Sequence, residues 1–187
     1  MSRALFLRHG ESAHNAHGGP EPLPDSDGDR LTERGLSQAH SAGAGLAGYG
    51  ITRLLTSPMR RTRETAEAIG AAIGLDPVEI PGAHELRGGE TFEMAIARVH
   101  ALKGELERGE AGDRPLLVTH GIFTRFFLLD SMLGEDFAPE MAGRIWHLAS
   151  HNCGLTVFTH GETCEPAGNV VPGWSCLTWM ERPWDRP

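Results

Sequence analysis

The 187-residue chain has one lysine, Lys103, only three cysteines, no long apolar run and a formal charge of −8. Each shortage excludes something. Without roughly 20 consecutive apolar residues, no segment reads as a bilayer-spanning helix. The chain opens directly on a strand-like run rather than on the basic and apolar regions of a signal peptide, so a cytoplasmic protein with no membrane partner is expected. Cys153, Cys164 and Cys176 are odd in number and lack metal-ligand spacing, which argues against a disulfide framework or a zinc cluster. The net negative charge argues against a nucleic-acid surface, so any cationic site must be local. An excess of arginine over lysine proves nothing by itself. Where the arginines stand is more telling.

With 40% hydrophobic residues, a chain of this length suits one globular domain spanning residues 1–187, and neither a repeat nor an interdomain linker is visible. Ala4 to Leu7, Ile51 to Thr56 and Leu116 to Thr119 are short apolar runs of the kind that central parallel strands require. Between them run helical patterns. Leu36, Ala39, Gly43, Leu46 and Ala47 follow Thr32 as N-cap; Thr62, Ala66, Ile69 and Ile73 mark a second helix; Phe92, Ile96, Val99 and Leu106 a third; Ile122 to Leu133 a fourth. Arg144 to Ala149, Gly154 to Thr159 and Ser175 to Met180 read as strands, some pairing antiparallel at a sheet edge. The pattern predicts an α/β fold: a three-layer sandwich with a largely parallel central sheet, helices on both faces and one or more antiparallel edge strands.

Arg8-His9-Gly10-Glu11 closes the first strand and His120-Gly121 closes a later one. Ser57-Pro58 opens the arginine-bearing helix, with serine read as N-cap, and Arg60, Arg61 and Arg63 fall at its start. Cations are misplaced there, because the helix dipole is positive at that end. An anion shared with the imidazoles explains at least one of them, and Arg60 is taken as that one, with Arg61 and Arg63 as surface residues. In an open α/β sheet ligands gather beyond the carboxyl ends of the strands. His9, Arg60 and His120 therefore predict one crevice for a phosphoryl group, with helix-start amides such as that of Gly121 turned toward it and the glycines allowing tight turns.

These residues resemble the histidine phosphatase superfamily, also called phosphoglycerate mutase-like. Arg8-His9-Gly10-Glu11-Ser12 with Asn15, then Leu31-Thr32 with Gly35 and Gln38-Ala39, then Ser57-Pro58 with Arg60, Thr62 and Thr65-Ala66, then Val118-Thr119-His120-Gly121 stand in the family's order. The resemblance implies His9 as the nucleophile that becomes phosphohistidine, with Arg8, Arg60 and His120 completing the phosphate pocket. It also places the proton donor at Glu85, although Glu90 and His84 compete because the stretch after Glu85 departs from the commoner family pattern. Asn15 and Gly121 are added as phosphate ligands.

The expected function is metal-independent hydrolysis of a small phosphorylated metabolite, with no cofactor. A phosphoglycerate mutase and a non-catalytic phosphate-binding module are the alternatives, and oligomeric state is left open. His9, His14 and His17 do not suggest a metal site, since Arg8 would repel a cation. Asp25-Ser26-Asp27-Gly28-Asp29 lacks the turn glycine and bidentate glutamate of a calcium loop and reads as a solvated loop; Pro20, Pro22 and Pro24 keep its approach extended. Thr159-His160-Gly161-Glu162 imitates the first motif but reads as an antiparallel turn. Trp174, Trp179 and Trp184 read as packing or edge-strand residues rather than a base-stacking platform.

Overall fold

The computed structural model describes residues 2–18, 22–110, 112–164 and 170–185. Pro20 lies outside them. A six-stranded sheet is built from β1 (Ser2–Arg8), β2 (Arg53–Thr56), β3 (Pro77–Glu79), β4 (Pro115–Thr119), β5 (Leu155–Cys164) and β6 (Val170–Glu181) in the order β3-β2-β4-β1-β5-β6. The first four are mutually parallel; β5 runs antiparallel to β1, and β6 antiparallel to β5. Around the sheet lie α1 (Ala13–His17), α2 (Glu33–Leu46), α3 (Arg60–Ile73), α4 (Phe92–Glu107), α5 (Gly121–Leu133) and α6 (Pro139–Ala142). No helix among the described residues is long and apolar enough to cross a membrane.

The period of two along a strand sends successive side chains to opposite faces, and β1 is apolar on both. Ala4 and Phe6 join a core with Val99 and Leu102 of α4 and Phe123 and Phe127 of α5. Leu5 and Leu7 join another with Leu46 of α2 and Ala66 and Ile69 of α3. The sandwich predicted from sequence is therefore present. Phe6, Phe127 and Phe158 form a mutual cluster with ring centroids 4.6, 4.7 and 5.1 Å apart, contacts each worth about 0.5 to 1.5 kcal/mol beyond area burial.

Three local expectations are corrected. Residues Gly143–His147 form a 3-10 turn after α6, not a strand: the turn buries only Ile145 and leaves Trp146 65% exposed, so the alternation a strand needs is never used. His160 sits within β5, paired with Ser2 and Trp174, so its motif is neither a turn nor a second histidine loop. Helix α3 starts at Arg60, with Met59 at its N-cap. Ser57 is withdrawn from capping because its Oγ faces His120. Thr32, in contrast, caps α2 as expected, its Oγ1 accepting from Gly35 N at 3.0 Å.

Candidate active site

Adjacent strands β2, β4 and β1 end at one rim. Arg8 is in register with Thr119, and His9 N donates to Thr119 O at 3.0 Å, so His9 and His120 leave their strands at the same level. Their ring centroids are 5.3 Å apart. Both are buried, at 3% and 0% exposure. The glycines that follow them avoid the left-handed backbone and supply space instead. A Cβ on Gly10 would stand 2.4 Å from Gly35 O, so the loop after His9 lies directly on the start of α2.

Arg61 is the guanidinium that joins the imidazoles. Its Nε donates to His9 Nε2 at 3.1 Å, its Nη2 to His120 Nδ1 at 3.1 Å, and its Nη1 to Asp29 Oδ1 at 2.6 Å. A guanidinium can only donate, so both of those ring nitrogens carry free lone pairs. His9 Nδ1 must then bear the proton and donate to Gly10 O at 2.7 Å, while His120 Nε2 donates to Ser57 Oγ at 2.8 Å. Both rings are neutral. Burial first, then the charges of Arg61 and Arg8, pushes His9 well below the usual 6.5, and burial, Arg61 and the neighbouring His9 do the same to His120.

A cleft of about 250 Å³ opens here, lined by Arg8, His9, Asn15, Arg61, Glu85, Gly121 and Arg125 among others. Larger concavities lie elsewhere, but neither His9 nor Arg61 lines them. Arg8 donates through Nη1 to Ser150 O at 2.8 Å, and its buried Nε has no partner among the described residues.

The family model of the histidine phosphatase superfamily (branch 1) matches residues 4–89 and 80–167. The chain belongs to this superfamily. A probable phosphoglycerate mutase GpmB of Yersinia pestis (strain Pestoides F) is 29% identical over 196 residues, covering 87% of each chain. Among solved structures, a phosphoserine phosphatase from Entamoeba histolytica bound to phosphoserine superposes with a TM-score of 0.76 at 17% identity over 100% of both chains. A mycobacterial glucosyl-3-phosphoglycerate phosphatase in complex with VO3 gives 0.72 at 19% identity, covering 97% of this chain and 100% of that one. At such identities the superpositions establish the shared fold.

Within this histidine phosphatase scaffold the structure brings together Arg8, His9, Asn15, Glu85, His120 and Gly121 and leaves Arg60 out. Arg60 points away, its Nε donating to Glu64 Oε1 at 2.7 Å along the exposed side of α3. Arg61 takes the position expected of it. Spacing carried the signal: Arg60 and Glu64 form an i,i+4 pair of opposite charge, the mark of a solvated face, whereas Arg61 precedes buried Thr65 by one turn. Asp29, expected in a solvated loop, is fully buried, and its Oδ2 also accepts from Arg60 N, the first amide of α3.

Of the candidate acids, only Glu85 lines the cleft. Its Oε2 accepts from Ile122 N and its Oε1 from Phe123 N, each at 3.1 Å, so the first turn of α5 fixes the carboxylate in place. Glu90 is spent on Arg98, at 2.6 and 2.8 Å, and His84 Nδ1 donates to Glu85 O. Asn15 Oδ1 accepts from Asn152 Nδ2, which also donates to His9 O, tying α1 to the nucleophile loop.

Proposed function

We propose that this chain is a cytoplasmic, metal-independent phosphomonoester hydrolase working through a phosphohistidine at His9 on a small phosphorylated metabolite. One observation carries the reading. The Nδ1–H donation to Gly10 O turns the lone pair of His9 Nε2 toward Arg61, beside His120, in a cleft shared with Glu85. That lone pair forms the N–P bond as the ester P–O bond breaks, and a protonated Glu85 gives its proton to the departing oxygen. Glu85 then takes a proton from water, whose oxygen attacks phosphorus; the N–P bond breaks, releasing inorganic phosphate and restoring the His9 lone pair. Arg8, Arg61, Asn15 and the amide of Gly121 hold the phosphoryl oxygens, while His120, accepting from Arg61 at Nδ1 and donating to Ser57 at Nε2, steadies the guanidinium beside His9. Fixed donors of this kind are worth about 2.7 to 4 kcal/mol each in the transition state.

The name of the Yersinia relative favours a second reading, phosphoryl return to a bound product. Among the described residues between Glu85 and His120, α4 is the single α-helix, which leaves little to enclose such an intermediate. Release of phosphate from p-nitrophenyl phosphate in the presence of chelator, lost in His9→Ala, tests the hydrolase. An acid-labile phosphoenzyme trapped from radiolabelled substrate tests the intermediate. Phosphoglycerate interconversion outrunning phosphate release, or strict dependence on an added divalent metal, would overturn the reading, and phosphate binding without turnover would leave a regulatory module.

A further inference from the structure

Arg125 lies one turn beyond Gly121 on α5, about 6 Å further along the helix axis. Its Nε and Nη2 donate to Leu148 O at 3.0 and 2.6 Å, and Trp146 stacks on the guanidinium with its ring centroid 5.5 Å away. Nη1 faces the cleft. A Cβ built on Gly121 would stand 3.3 Å from Arg125 Nη1, 3.5 Å from Arg8 Nε and 2.7 Å from Ser150 Oγ, so three donors converge above that glycine. Among the described residues Arg8 Nε is buried without a partner, and the Ser150 hydroxyl meets Met180 Sδ at 3.9 Å and no other hydrogen-bond partner. The phosphoryl roles assigned to Arg8, His9, Arg61 and His120 leave Arg125, Ser150 and the Nε edge of Arg8 unused.

Resting on the hydrolase reading, we propose that Arg125, with Ser150 and Arg8 beside it, is the specificity determinant of the cleft and receives a carboxylate on the leaving-group half of the substrate. A neutral leaving group would bury these donors against nothing that accepts from them, which is the costly outcome for a polar site. Arg125 Nη1, Arg8 Nε and the Ser150 hydroxyl together suit a two-oxygen acceptor, and Trp146 covers one face of the Arg125 guanidinium. A second phosphate, with three oxygens and more charge, fits poorly beside Glu85 in a cleft of about 250 Å³.

The test compares 3-phosphoglycerate with glycerol 3-phosphate, which differ in carboxylate against hydroxymethyl. Calorimetric binding to the His9→Gln protein needs no turnover, and kcat/KM is measured with the parent protein. The carboxylate compound is expected to bind roughly tenfold tighter or better, the difference lying in KM, and Arg125→Met is expected to bring the ratio to about one. Equal binding of the pair, or a ratio that survives Arg125→Met, overturns the proposal. So does tighter binding of 1,3-propanediol bisphosphate, which would assign the subsite to a second phosphate. Because Arg125 also anchors Leu148, Ser150→Ala provides a variant with that anchor intact; its ratio should fall about threefold, and no change counts against the proposal. Aryl phosphate hydrolysis with no carboxylate preference defeats this inference alone, whereas a carboxylate preference in binding without any hydrolysis defeats the hydrolase reading alone.

Discussion

Asp29 grips Arg61 at 2.6 Å, with both side chains essentially sealed from solvent at 0% and 2% exposure. The same carboxylate accepts the first amide of α3, so one side chain sets both the helix start and the guanidinium. Removing one partner of a buried pair leaves an uncompensated charge, at about 3 to 5 kcal/mol. Asp29→Ala should therefore unfold at markedly lower denaturant, and its inorganic phosphate affinity should drop, with Asp29→Glu recovering part of both. Normal melting and phosphate binding in Asp29→Ala would show that Arg61 needs no anchor.

The neighbouring arginines should separate cleanly. Arg61→Ala is expected to lose about 100- to 1000-fold in kcat, the scale for one preorganised donor. Arg60→Ala, whose side chain pairs with Glu64 on the exposed side of α3, should stay within about twofold. Parallel kinetics on the two variants decide it; comparable losses would contradict the geometry.

Acid should destabilise the fold through its buried imidazoles. His9 and His120 are held well below 6.5, so the unfolded chain takes up protons that the folded chain refuses. Stability is then unaffected well above pH 6.5 and falls as pH drops through that value. Each imidazole contributes a slope of up to about 1.4 kcal/mol per pH unit until its folded pKa is reached. His84, lowered mainly by burial, acts in the same direction. Glu90 and Asp113, held below the usual carboxylate range, contribute only at more acid pH. Urea melts at pH 7.5, 6.5 and 5.5 should show the decline, shallower in a His9→Gln/His120→Gln double variant. A flat profile would mean that the rings accept protons in the folded state.

Gly35→Ala probes the floor of the nucleophile loop. The new Cβ would fall 2.0 Å from Glu11 O, a backbone atom that cannot swing aside. Overpacking of this kind costs about 1 to 3 kcal/mol, or several degrees of Tm for a chain this long. An unshifted Tm with unchanged kinetics would show that α2 is free to retreat from the loop.

The frame of the molecule was readable in the sequence because buried parallel strands must be apolar on both faces, as Leu5, Phe6 and Leu7 are. Strand β3 escaped because its three residues, one a proline, are too few to set a period. At the site, His9 and His120 were legible from the strand-to-helix junctions. Arg60 and Arg61 are harder to tell apart, because the motif match accommodates either; a helix advances 100° per residue, so only one can face inward, and the pairing of Arg60 with Glu64 marks it as the outward one. Asp29 was hidden for another reason. Its partners on α3 are 31 and 32 positions away, and an acidic, glycine-bearing loop reads as solvated until a buried cation is known to need it.

The parallel pairing of β1 with β4, Leu5 opposite Leu116 through Arg8 opposite Thr119, fixes more than the sheet. Inserting one residue into either strand would invert its inward and outward sides and carry one imidazole off the rim while the other stayed. The chemistry of this chain is thus anchored to strand length, and these two strands should tolerate exchanges of side chain far more readily than any change in their number of residues.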